Sequence, residues 1–181
     1  MTDVSAPALR FARALESANA WFGKACAWLT VFLVLGTSVV VVLRYGFGIG
    51  AVALQEAVLY SHALVFMGAA GWVLQRNAHV RVDIFYQNFS PRRQALVEIF
   101  GSLIFLLPLC LFLGYSSLEY VGNAWATREG SSESGGLPFV YLQKSIILVL
   151  VLSLLLQAVA GIIKAWHVIS GCPAAPQVPH G

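Results

Sequence analysis

Four long apolar stretches divide this chain, separated by polar or glycine-rich segments. The first runs from about Ala25 to Leu43 and holds no charge. The second runs from about Ala57 to Leu74, with His62 as its one ionisable side chain. The third covers about Ala95 to Tyr115, with Glu98 near its start and Pro108 inside it. The fourth covers about Tyr141 to Ile163, with Lys144 near its start. A bilayer core of ~30 Å takes about 20 residues of α-helix. Each stretch is therefore read as a transmembrane helix. The second is the shortest, but omitting it would strand the third on the wrong side.

The intervening segments carry their own signals. From Ala8 to Phe22, apolar residues fall at Ala8, Phe11, Ala12, Leu15, Ala18 and Phe22, which is helical spacing. Arg10, Arg13, Glu16 and Ser17 occupy the other face. This predicts an amphipathic helix lying on the membrane surface, in preference to a plain extension of the first span. Ser90-Pro91 predicts the start of the third helix, with Ser as N-cap and Pro at the first helical position. Glu119, Tyr120, Asn123 and Trp125 continue that helix past Tyr115. Arg128 to Pro138 is rich in Ser and Gly and reads as an exposed, flexible loop. After Gly171 the tail carries Pro173, Pro176 and Pro179 and reads as disordered. The chain thus divides into 1–24, with the surface helix, a four-helix domain over 25–168, and a tail over 169–181.

Lysine and arginine orient the spans. Arg10, Arg13, Lys24, Arg76, Arg81, Arg92, Arg93 and Lys164 lie on one side; Arg44, Arg128 and Lys144 lie on the other. That is eight against three, out of the chain's 11. Both termini are expected in the cytoplasm. The first apolar run is too long for a cleavable signal, so it reads as an uncleaved anchor.

Composition agrees with a membrane protein. Of 181 residues, 59% are hydrophobic and 10% charged, and mean hydropathy is +0.77. Soluble domains carry about 25% charged residues. The net charge of +3 is spread along the chain, with no basic, aromatic-interleaved stripe for nucleic acid. Cys26, Cys110 and Cys172 are far apart and form no Cys-x-x-Cys pair. No internal repeat with broken helices is visible, which a self-contained secondary transporter would show.

Candidate chemistry is sparse. His62 lacks a second histidine at its depth, so a haem site is disfavoured, and it reads as an interhelical hydrogen-bonding group inside the bundle. Arg44 and Glu56 end spans one and two on the same side and are expected to pair as a structural clamp rather than an ion pathway. Lys144 is expected to snorkel outward, in preference to pairing with Glu119 or Glu129. Gln157 lies deeper and is expected to bond across helices. Gly68-Ala69-Ala70-Gly71 gives a flat surface, packed either within the bundle or against another membrane protein. No carboxylate lies near the middle of a span, and no nucleophile–base pair, phosphate loop or metal cluster is present. No cofactor and no enzyme activity are expected.

Particular residues then resemble a known family. Arg44-Tyr45-x-Phe47-Gly48 is followed by Gln55-Glu56-x-x-x-Tyr60-x-His62-Ala63. Asn77-Ala78-His79-Val80-Arg81-Val82-Asp83 follows span two, and Trp125 with Arg128-Glu129-Gly130-Ser131-Ser132 and Gly136-Leu137-Pro138 precedes span four. In order and spacing these resemble the DctQ-type small membrane subunit of TRAP (tripartite ATP-independent periplasmic) transporters, over roughly Ala25 to His167.

The resemblance implies an all-α, four-span scaffold subunit in the bacterial inner membrane. It implies two partners besides lipid: a large DctM-type membrane subunit carrying the substrate and sodium sites, and a periplasmic DctP-type solute-binding protein. It implies sodium-coupled import of an organic acid. Arg44, Gln55, Glu56, Tyr60 and His62 match the family pattern, for packing and outer-face geometry. Asn77, His79, Arg81 and Asp83 match the inner-loop motif. Arg128, Glu129, Ser131 and Glu133 are candidates for touching the binding protein, with a solvated loop as an equal reading. Lys144 joins the structural candidates. A self-contained small carrier or channel is the alternative.

Overall fold

In a computed structural model, residues 5–76, 86 and 88–170 are described; every structural statement below concerns these residues. They form helices and turns. Helix α1 spans Ser5–Gly46, α2 Val52–Gly68, α3 Ala70–Gln75, α4 Pro91–Gly101, α5 Leu107–Thr127 and α6 Val140–Ile169. A π-helical segment, Ser102–Leu106, joins α4 to α5. Helices α2 and α3 run on as one rod of 24 residues, and α4 to α5 as one of 37. Four rods are therefore long and apolar enough to cross a membrane.

Helix α6 lies at the centre. It packs against α1, α2 and α3 on one side and α4 and α5 on the other. Eight of the eleven buried hydrophobic residues are Ala or Cys. The large side chains point outward instead: Trp28 is 76% exposed, Phe66 75% and Phe105 73%. In water this pattern would be inside out. In lipid it is the stable one, because the solvent is as apolar as leucine and small residues let helix backbones approach.

The glycines show how close that approach is. A Cβ on Gly68 would lie 2.8 Å from Cys26 Sγ, and one on Gly71 2.5 Å from the Ser153 carbonyl oxygen. A Cβ on Gly23 would lie 2.6 Å from Trp72 Cβ. The Gly68–Gly71 surface is thus used within the bundle, against α1 and α6.

The first helix corrects an expectation. Ala8 to Phe22 is no separate surface helix: α1 runs unbroken for 42 residues, about 63 Å at 1.5 Å per residue. Between Ala8 and Cys26 its buried positions are Ala12, Glu16, Asn19, Gly23 and Cys26, a single stripe at steps of three and four. Asn19 Nδ2 donates to the Ser153 carbonyl at 3.1 Å. Glu16 pairs with Lys164 at 2.8 Å. These contacts hold the N-terminal part of α1 against α6. Of the polar residues assigned to solvent, Glu16 lies on the packing face, whereas Arg10, Arg13 and Ser17 are exposed as expected; Phe11 and Trp21 are exposed as well.

Pro91 begins α4 as expected, although the Ser90 side chain makes no capping hydrogen bond. Pro108 sits inside the third rod without breaking it. Proline has no N–H, so Ile104 loses its usual donor four residues on. The π-helical turn just before it, where Leu107 N–H reaches Ser102 O, takes up the mismatch. The tail from residue 171 and the Asn77–Asp83 motif lie outside the described residues.

Candidate functional site

The end of the bundle that carries Gly46, Val52, Thr127 and Val140 gathers most of the polar structure. Helix α5 ends there in a Schellman turn: Glu129 N–H bonds Ala124 O at 3.0 Å and Arg128 N–H bonds Trp125 O at 3.3 Å. Arg128 itself takes φ 47°, the left-handed region that favours glycine. The chain then folds back in a small closed loop. Ser131 N–H bonds Leu137 O, and Gly136 N–H bonds Glu133 O, both at 3.0 Å. Ser131 Oγ accepts Glu133 N–H at 3.1 Å. Gly135, at φ 78°, makes the reversal.

Glu56 on α2 clamps this loop. One carboxylate oxygen accepts the Ser131 hydroxyl. The other accepts Leu137 N–H at 2.6 Å. Gly136 lies so close that a Cβ would be 2.8 Å from Glu56 Oε1. The expectation of a flexible loop is therefore corrected: its Ser and Gly residues are the ones that make it tight.

The expected Arg44–Glu56 pair is absent among the described residues. Both oxygens of Glu56 are taken by the loop, and Arg44 is exposed at the end of α1. Lys144 does pair with Glu129, at 2.6 Å, and lies 4.1 Å from the Tyr120 ring centre. Trp125 Nε1 donates to Ser145 Oγ at 2.8 Å and its ring meets Tyr141 edge-on at 4.7 Å. These contacts fasten the top of α5 to the start of α6. Arg128, Ser132, Glu133 and Ser134 remain exposed on the crown.

A cleft of about 600 Å³ opens beside the clamp. Leu33 and Thr37 of α1, Gln55, Leu59 and His62 of α2, and Glu133 of the loop line it. His62 is exposed there and makes no hydrogen bond within the described residues. It does not serve the interior of this bundle, contrary to expectation. Tyr60 faces inward, and its hydroxyl is enclosed without a partner among the described residues. Gln157 is buried in α6, and its side-chain carbonyl likewise has none. Asn77, His79, Arg81 and Asp83 lie outside the described residues. Glu98, at the other end, accepts the Tyr86 hydroxyl at 3.0 Å.

The sequence profile of the family described as tripartite ATP-independent periplasmic transporters, DctQ component, matches residues 33–169. That is most of the chain. The chain belongs to the DctQ family. It is thus the small membrane component of a TRAP transporter, a multi-pass membrane protein. Comparison with curated proteins and with solved structures gave no match. The match begins inside α1, so the Glu16 and Asn19 contacts lie before it. Sequence reasoning missed these two residues as a site. The signal was present in the stripe from Ala12 to Cys26, whose period runs straight into the first span. In DctQ terms, the clamp and the crown sit together at one end, and the cleft opens below them along α2.

Proposed function

We propose that this chain is the scaffold subunit of a sodium-coupled TRAP importer for an organic acid in the bacterial inner membrane. It pairs with the large membrane subunit and helps dock the periplasmic binding protein. Both termini lie in the cytoplasm, as the excess of Lys and Arg on that side favours. The clamp end then faces the periplasm.

The observation that carries the docking role is the Glu56-clamped loop. It holds Arg128 and Glu133 in fixed, exposed positions on the outer end. Fixing charged groups before contact lowers the ordering penalty of association. Arg128 keeps a backbone conformation that costs a non-glycine residue about 1 kcal/mol or more. Such strain clusters at positions where the side chain is used. Oppositely charged groups on the crown suit a soluble partner that must bind and leave, since rim charges act mainly on association rate.

The test is uptake in cells lacking the chain and complemented with it. Radiolabelled organic-acid uptake requires the chain and a sodium gradient, and collapses when choline replaces sodium. Reversing charge at Arg128 and Glu133 lowers uptake while the membrane complex still purifies. Unchanged uptake contradicts docking by this loop. Uptake indifferent to sodium contradicts the coupling.

A further inference from the structure

The bundle leaves one partly polar face uncovered at membrane depth. Gln55, Leu59, His62 and Phe66 follow one another at steps of four, three and four along α2, so they share a face. All four are exposed. His62 lies six residues beyond Glu56, about 9 Å deeper along the helix axis. At that depth hydrocarbon offers an imidazole no hydrogen bond, and an unsatisfied polar group there is costly. His62 finds no partner within the described residues, and the cleft beside it is open to the same side.

We propose that this face of α2, with the adjoining cleft, seats a transmembrane helix of the large subunit. That helix bears a side chain that hydrogen-bonds His62 and a basic group that meets Glu133 at headgroup level. The proposal rests on the reading of the chain as a subunit of a two-component membrane complex. Three observations select this occupant. A lipid chain could fill the apolar floor at Leu33 and Leu59 but would leave His62 unpaired. A second copy, related by a two-fold axis along the membrane normal, would bring a second acidic lining of Glu56 and Glu133 to the same level. The ionisable groups lining the cleft are Glu56, His62 and Glu133, with no Lys or Arg to offset that repulsion. A helix carrying a hydrogen-bonding group and a basic group supplies partners for both His62 and Glu133.

The experiment places a photo-activatable phenylalanine analogue at Leu59, Phe66, Phe105 or Phe112 in cells expressing the whole transporter. Phe105 and Phe112 are equally exposed controls on the α4–α5 rod, 73% and 67%. Adducts to the large subunit form from Leu59 and Phe66 and not from the controls. Adducts from the controls alone overturn the proposal, as do adducts between two copies of this chain or to lipid only. In parallel, the unsubstituted tagged chain is purified in mild detergent. If the large subunit comes with it, the subunit reading stands whatever the crosslinks show. If it does not, that reading falls as well. His62→Leu lowers the co-purified large subunit about three- to tenfold, the range of one interhelical hydrogen bond, whereas His62→Gln retains most of it. Equal yields from both variants overturn the role given to His62.

Discussion

The Glu56 carboxylate accepts the Leu137 amide at 2.6 Å, joining residues 81 apart in sequence. Its other oxygen takes the Ser131 hydroxyl. A helix side chain thus replaces the backbone partner that a strand would give this loop. A charged acceptor bound to a neutral donor contributes about 1.5–3 kcal/mol. Glu56→Gln removes the charge, and its amide nitrogen can only donate, so the Ser131 hydroxyl must switch from donor to acceptor for the Leu137 N–H to keep an oxygen. The variant is expected to loosen residues 131–137 selectively. Hydrogen exchange at the Leu137 amide rises at least tenfold, while the α5 and α6 amides stay protected. Ser131→Ala gives the same effect at smaller size.

Arg128 offers a test that separates strain from use. Arg128→Gly removes the left-handed penalty and is expected to stabilise the chain by about 1 kcal/mol. Its unfolding midpoint in detergent rises. If the side chain touches the binding protein, uptake falls in the same variant. A variant that is both less stable and fully active contradicts both halves.

Close packing at Gly71 predicts a graded series. Gly71→Ala drives its methyl into the Ser153 carbonyl and displaces Asn19. Overpacking of this kind costs about 1–3 kcal/mol. Gly68→Ala meets Cys26 Sγ at 2.8 Å and Phe22 Cε1 at 3.2 Å, side-chain atoms rather than backbone, and costs less. Gly161→Ala has nothing within 4 Å and is neutral or mildly stabilising. Thermal unfolding of the three purified variants checks the order.

The Glu16–Lys164 pair predicts an asymmetry. Glu16 is largely buried and Lys164 half exposed, with side-chain exposures of 11% and 52%. Lys164→Met leaves a buried carboxylate unpaired and is expected to cost about 1–2 kcal/mol, less than a fully buried break because water still reaches the site. Adding Glu16→Gln recovers most of that loss. A double-mutant cycle in detergent measures the coupling, which weakens as salt is added.

The four spans were legible because the bilayer demands about 20 apolar residues in a row, and nothing in water imitates that demand. The packing of α1 was not. Amphipathic reasoning sends polar residues to the surface, whereas in a membrane bundle the packed face is the small and polar one. Glu16 was therefore assigned to the wrong side, and Asn19 was passed over. The Lys144–Glu129 pair was legible only as one of two candidate pairs, because a lysine near a span end can equally snorkel outward, which was the favoured reading. Glu56 was legible as a structural residue but not its partners: charge pointed to Arg44, and the Leu137 amide carries no side-chain signature. His62 was expected inside the chain. One sequence cannot tell an interior face from a face completed by another protein.

The central claim is that this chain works only as part of a larger membrane assembly. A tagged copy is pulled from its native membranes in mild detergent, and what accompanies it is identified by mass spectrometry. The account predicts a large multi-span partner in near-equal amount, whose own operation needs a binding protein. A chain recovered alone, folded and able to move a solute across liposomes by itself, would contradict it.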